Sequence, residues 1–218
     1  MALTQADQVT LASSAAGAFI GAIAAFALEA TRRWRSERSA RYSSLLEAQF
    51  ALCMQMDLMV KLQRDYLRPA RDHPQRFMRL TPVIAPDPGL RVNFASLAFI
   101  TAIDEVESIA KVYRAQQSFL TASQVLERRS RLVQEQFYSI DNPLKAFDFE
   151  SGEGLVEHDP RQVRILKGMT DGLYKSVDDA VVMLGGAVDE LAKVIKRHYP
   201  LRKVLSVDAP VSTEPASG

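Results

Sequence analysis

The chain has 218 residues, a formal net charge of +1 and a single cysteine, Cys53. Near-neutrality argues against a general nucleic-acid binder, because phosphate contacts need a concentrated basic face. One cysteine excludes an intramolecular disulfide framework and every multi-cysteine zinc pattern, and it is consistent with a reduced cytoplasmic setting. After the N-terminal segment, about 175 residues remain, which suits one domain with a hydrophobic core.

The N-terminal segment contains an uncharged, Ala/Gly-rich run from Gln8 to Leu28, bounded by Asp7 and Glu29. As a helix this run would be about 31 Å long, enough to cross a hydrocarbon core of about 30 Å. The run therefore predicts a single membrane-spanning helix. The alternative is an Ala-rich helix that is buried in a soluble bundle or in a partner protein.

A group of basic and aromatic residues, here called the basic collar, follows at once: Arg32, Arg33, Trp34, Arg35, Arg38 and Arg41. Residues 1–7 carry no Lys or Arg, so the positive charge lies on one side of the run only. This asymmetry predicts an N-terminus outside and a C-terminal domain in the cytoplasm, as in a bacterial inner-membrane protein. Since no basic region precedes the run, we expect it to be retained rather than cleaved as a signal peptide.

Small residues recur every four positions within the run, at Ser13, Gly17, Gly21 and Ala25. Such spacing lets two helix backbones approach closely in lipid. It predicts packing of the membrane helix against a second copy or against another membrane protein. The same spacing also arises by chance in an Ala/Gly-rich helix.

Helical periodicity continues through the rest of the chain. From Tyr42 the sequence predicts a wide core-facing helical stripe, and Pro69 ends this helix. Its main row, at alternating spacings of four and three, is Tyr42, Leu46, Gln49, Cys53, Met56, Val60, Gln63 and Leu67, with Leu45, Leu52, Met59 and Tyr66 in a neighbouring row. The sequence predicts an all-α fold in which the spanning helix continues into an antiparallel cytoplasmic bundle of three or four long helices. The expected divisions are an anchor (1–30), a collar and first bundle helix (31–68), a Pro-rich connector (69–91), the remaining helices (92–200) and a disordered tail (201–218).

The remaining helices are predicted in two regions. The first covers about 93–140, with Val106, Tyr113, Leu120 and Leu126 on its apolar face and a kink near 118–123, where polar residues interrupt that face. The second begins at Pro160, because Asp159 followed by Pro is a strong helix start, and it ends near Pro200.

The sequence contains no catalytic, cofactor-binding or metal-binding motif. The strongest candidate is His158, which lies in an acidic loop that could hold a divalent cation, with Glu150, Glu153, Glu157 and Asp159 around it. Capping of the following helix explains these acids as well. A charged patch at Glu127, Arg128, Arg129 and Arg131 is interpreted as a solvated face, and Asp178, Asp179 and Glu190 as exposed carboxylates.

These patterns favour a non-enzymatic, membrane-tethered interaction or scaffold protein. Its expected partners are the lipid bilayer and either a second copy or a membrane protein, and no cofactor or nucleic acid is expected. One alternative is an oligomerising membrane effector that perturbs or permeates the bilayer, in the manner of a toxin or a defence protein. Another is a membrane-bound enzyme or metal-binding protein that uses the loop around His158.

Overall fold

The computed structural model describes residues 5–87, 89–103, 105–137, 160–202 and 204–205. Side chains are described from Phe19 onward within these ranges, except at positions 102, 136 and 137. The chain divides into two compact units, Met1–Ser44 and Leu45–Gly218.

All secondary structure in the described ranges is helical, which confirms the all-α prediction. Three long helices dominate: α1 (Gln5–Lys61), α3 (Val106–Phe137) and α4 (Pro160–His198). Between them lie a π-helical turn (Leu62–Leu67), two 3-10 segments (Arg68–Ala70 and Ala95–Ile103) and the single-turn helix α2 (Arg76–Arg79). The second unit is therefore a bundle of three long helices with an irregular connector.

Helix α1 is continuous because no Pro or Gly occurs between Gly21 and Pro69. Its π-helical turn leads into the 3-10 segment that contains Pro69, whose ring cannot donate the next backbone hydrogen bond. Within the second unit, Leu45, Leu52 and Met59 are fully buried. Their spacing of seven residues places them along one face, which is the neighbouring row of the predicted stripe. Leu46, Cys53 and Val60 of its main row are only half-buried.

Side-chain contacts establish the helix directions in the bundle. Along α3 and α4, Ser108 contacts Glu190 and Arg129 contacts Thr170, so α4 runs antiparallel to α3. Along α1 and α4, a Cβ at Gly185 would lie 3.9 Å from Met56, and Tyr174 donates a hydrogen bond to the Leu67 carbonyl. Helix α4 is therefore antiparallel to both of the other long helices.

Helix α3 differs from the prediction in three respects. It begins at Val106 rather than near 93, because the preceding Ala95–Ile103 is a 3-10 segment. It has no break near 118–123, and its buried face carries Val112, Phe119 and Leu126, whereas Val106 and Tyr113 are more than half exposed. Of the polar residues that predict the kink, Gln117 and Gln124 are exposed on the continuous helix, whereas Gln116 and Ser123 are buried. The Gln116 carbonyl oxygen accepts a 2.6 Å hydrogen bond from the backbone of Val92 in the connector.

The predicted spanning helix is not supported by the structure. Within the described part of the chain, no helix offers a stretch that is both long and apolar enough to cross a membrane. Every residue from Phe19 to Arg41 is exposed.

Candidate functional site

The first candidate is the exposed stretch of α1 from Phe19 to Leu28, here called the apolar segment. Its large side chains are 54% to 78% exposed, and they are Phe19, Ile20, Ile23, Phe26 and Leu28. All the remaining positions of the segment are Ala or Gly, so the segment is apolar on all sides. A helix that is apolar all round is normally covered by protein or lipid, since burying each large side chain is worth about 1.5–3 kcal/mol.

The basic collar follows the apolar segment on the same helix. At about 100° per residue, its five arginines lie roughly 60° to 100° apart around the helix axis. They form a ring rather than a stripe. A helix that lies flat on a membrane would instead carry its charges on one face.

Part of the collar is paired within the helix. Arg33 forms a 2.8 Å ion pair with Glu29, and Arg41 lies 3.6 Å from Glu37. The Arg38 guanidinium lies 5.2 Å from the centre of the Trp34 ring, within cation–π range. Arg32 and Arg35 have no ion-pair partner among the described residues. The collar therefore presents positive charge to its surroundings.

The predicted helix-packing residues are only partly described. Ser13 and Gly17 lie where side chains are not described, and Ala25 is exposed. A Cβ built on Gly21 would meet no described atom within 4 Å. Packing against a second helix therefore stays a prediction, with open space at Gly21 where such a helix would approach.

The second candidate is a polar cluster around Arg129. The predicted solvated patch is confirmed for Glu127, Arg128 and Arg131, which are exposed, and is wrong for Arg129. Arg129 is fully buried, and it lies three residues after Leu126 and four before Val133 on the buried face of α3. Its guanidinium donates to the Thr170 hydroxyl at 3.0 Å, to the Tyr66 hydroxyl at 3.2 Å, and to the carbonyls of Phe77 and Leu80 at 3.0 and 2.7 Å. Arg129 thus joins the connector to α3 and α4.

Tyr174 extends this polar region along α4. The guanidinium groups of Arg71 and Arg76 lie 5.4 and 5.2 Å from the centre of its ring. Both arginines are paired with α4 carboxylates, Arg71 with Asp178 and Arg76 with Asp171. Asp178 is therefore half-buried and paired, whereas the sequence predicts an exposed carboxylate.

A second polar cluster joins the start of α3 to the end of α4. The Ser108 hydroxyl lies 3.1 Å from a carboxylate oxygen of Glu105 and 3.3 Å from one of Glu190. Arg197 hydrogen-bonds to Glu105, and Lys111 lies 3.2 Å from Glu190. Glu190, interpreted from the sequence as exposed, is mostly buried here.

The neighbouring cations keep both carboxylates ionised. Burial alone would raise the pKa of Glu105, but hydrogen bonds from Arg197, Ser108 and His198 lower it overall. The hydrogen bond from Lys111 lowers the pKa of Glu190, and burial opposes this effect. Two ionised, cation-paired carboxylates suit a structural link between helices better than general acid–base catalysis, which needs a pKa near the working pH.

The remaining candidates for chemistry give no site in the described residues. No group of three or more His, Cys, Asp or Glu in these ranges could hold a metal ion. His158 and the acidic residues around it, Glu150, Glu153, Glu157 and Asp159, lie outside the described residues. Cys53 is half-buried, and burial raises the pKa of its thiol, which disfavours the reactive thiolate.

Comparisons of the chain with family models, with curated proteins and with solved structures find no match. Any function must therefore be argued from the surfaces and clusters described above.

Proposed function

We propose that the protein is a non-catalytic helical interaction or scaffold protein that is tethered to a lipid bilayer by the first part of α1. The observation that carries the proposal is the order of surfaces along this helix. An apolar segment exposed on all sides is followed directly by a ring of arginines with Trp34 among them. This order matches a helix that leaves a hydrocarbon core through a headgroup region.

The length of the anchor depends on residues before the apolar segment. Phe19 to Leu28 alone would span about 15 Å, half of a hydrocarbon core. The preceding residues, Gln8 to Ala18, are uncharged in sequence, and the α1 backbone is helical from Gln5. Together the two stretches provide the length of one crossing, with the collar on the cytoplasmic side.

The bundle would then serve as the interaction part of the molecule. Buried polar clusters at Arg129 and at Glu105 and Glu190 join its helices and its connector. Such clusters hold a single arrangement of helices, which a scaffold needs in order to present a defined surface.

Alkaline carbonate extraction of cell membranes tests the tether. We expect the wild-type chain to stay in the membrane pellet and the double variant I23K/F26K to become extractable, because two ammonium groups would enter the hydrocarbon region. The matched control is V182K, which places a charge on an equally exposed apolar position of α4. Extraction of the wild-type chain by carbonate would contradict the proposal.

A second candidate function is an oligomerising membrane effector, which the four-residue spacing of Ser13, Gly17, Gly21 and Ala25 favours. In that case two membrane helices would meet along Gly17 and Gly21. The double variant G17I/G21I should then reduce the oligomer to monomer in detergent, measured by light scattering with detergent correction, and abolish vesicle leakage. A wild-type monomer that releases no vesicle contents would exclude this candidate.

A further inference from the structure

A groove runs between the connector and α3, here called the α3 groove. One wall is the non-helical segment Pro82–Pro86, and the other is the face of α3 from Leu120 to Gln134. Its volume is about 520 Å³. Along α3 the groove extends for about 20 Å, the length of roughly six residues of extended chain.

One residue that lines the groove has a buried hydroxyl without a partner. Ser123 lines it and is only 4% exposed, yet its hydroxyl has no hydrogen-bond partner among the described residues. An unsatisfied buried hydroxyl is unfavourable, because it has lost its hydrogen bonds to water without gaining one in the protein. A bound group that supplies this hydrogen bond would recover part of that loss.

The opposite wall offers unpaired backbone groups. Prolines at 82 and 86 favour an extended chain for the residues before them, and Val83 is fixed to α3 by a 3.2 Å hydrogen bond to the Ser130 hydroxyl. The backbone groups of Ile84 and Ala85 make no hydrogen bond to the described residues, and the Ile84 side chain is 98% exposed. An extended peptide could pair with such a segment through its own main chain.

The charges of the groove define the peptide further. The lining contains two arginines, Arg91 and Arg131, and one carboxylate, that of Glu127. Its formal net charge is therefore positive. Glu127 and Arg131 form an exposed ion pair at 2.8 Å. An exposed pair is worth little, so a carboxylate of the ligand could replace Glu127 as the partner of Arg131 at small cost.

We propose that the α3 groove binds an extended, acidic peptide segment of a partner protein. The main chain of the peptide pairs with the Ile84 and Ala85 backbone, a polar group reaches the Ser123 hydroxyl, and an acidic side chain contacts Arg131. This inference rests on the proposed interaction function, but it does not depend on insertion of α1 into a membrane.

Selection from a phage-displayed library of random twelve-residue peptides tests the inference. The target is the full-length chain in nanodiscs, after removal of phage that bind empty nanodiscs. We expect the enriched peptides to share an acidic residue. Their affinity as synthetic peptides, measured by calorimetry, should fall about 3- to 10-fold in S123A, which removes one hydrogen bond.

Two further variants should act in opposite directions. R131Q should weaken peptide binding, whereas E127Q should strengthen it, because it removes the competing carboxylate. R128Q is the matched control, since Arg128 is an exposed neighbour on α3 that does not line the groove. S123A should not lower the melting temperature, because the hydroxyl it removes has no partner.

Failure to enrich any peptide, or binding that S123A and R131Q leave unchanged, would overturn the inference. Equal effects of E127Q and R131Q would overturn the assigned carboxylate contact. Carbonate extraction is independent of the groove, so an anchored chain that binds no peptide would refute this inference and leave the tether intact.

Discussion

At Arg129, a guanidinium is enclosed by groups from three parts of the bundle. Replacement by Met roughly keeps the volume but leaves the buried carbonyl of Leu80 and the half-buried carbonyl of Phe77 without this donor. We expect R129M to lower the free energy of unfolding by about 2–5 kcal/mol, measured by urea denaturation of the full chain in mild detergent. R128M, at the exposed neighbouring position, should change it by less than about 0.5 kcal/mol. Equal effects of the two variants would show that Arg129 does not hold the connector.

At the scale of elements, Glu105 and Glu190 make the link between α3 and α4 depend on pH. Folding lowers the pKa of both carboxyl groups, so their contribution is fully present above their unfolded pKa, near 4.5, and is lost as the pH falls through the lower folded values. We expect the free energy of unfolding to decrease below about pH 4.5. This decrease in the free energy of unfolding at low pH should be smaller in E105Q and E190Q, measured by denaturation over a pH series.

E135Q is a suitable control for this pH series, because Glu135 is exposed on α3 away from the link. It should keep the wild-type pH dependence. If E105Q and E190Q also keep it, the acid sensitivity of the bundle originates elsewhere.

The helices themselves could be predicted from sequence because their signals are local. Periodic apolar residues, Pro69 after α1 and Pro160 at the start of α4 correspond to elements of the structure. The unbroken α3 could not be predicted, since the partner of Gln116 is a backbone amide 24 residues earlier in the chain. Such long-range hydrogen bonds leave no periodic trace in the sequence.

The candidate sites were less predictable for the same reason. The apolar segment and the collar are contiguous in sequence, so their order was evident. The sequence predicts a solvated Arg129, because charged residues are almost never fully buried without partners and the partners of Arg129 lie 41 to 63 residues away. Its spacing of three from Leu126 and four from Val133, typical of one helix face, is the sequence feature that indicates its burial. The α3 groove requires the connector to fold back onto α3, which no motif indicates.

For the whole molecule, a membrane tether requires that the first part of α1 lies in the bilayer. Trp34 is the only tryptophan in the chain, so its fluorescence reports this position without any substitution. It lies within the collar, where the proposed tether places it in the headgroup region, and Trp is enriched at such interfaces.

Quenching of Trp34 by brominated lipids, in the full-length chain reconstituted into vesicles, tests whether the first part of α1 tethers the protein to the bilayer. A set of lipids with bromine at increasing depth locates the indole ring along the bilayer normal. We predict blue-shifted emission, with the strongest quenching by lipids brominated nearest the headgroup. Emission at the wavelength of a water-exposed indole, quenched by iodide and unaffected by any brominated lipid, would contradict a membrane tether.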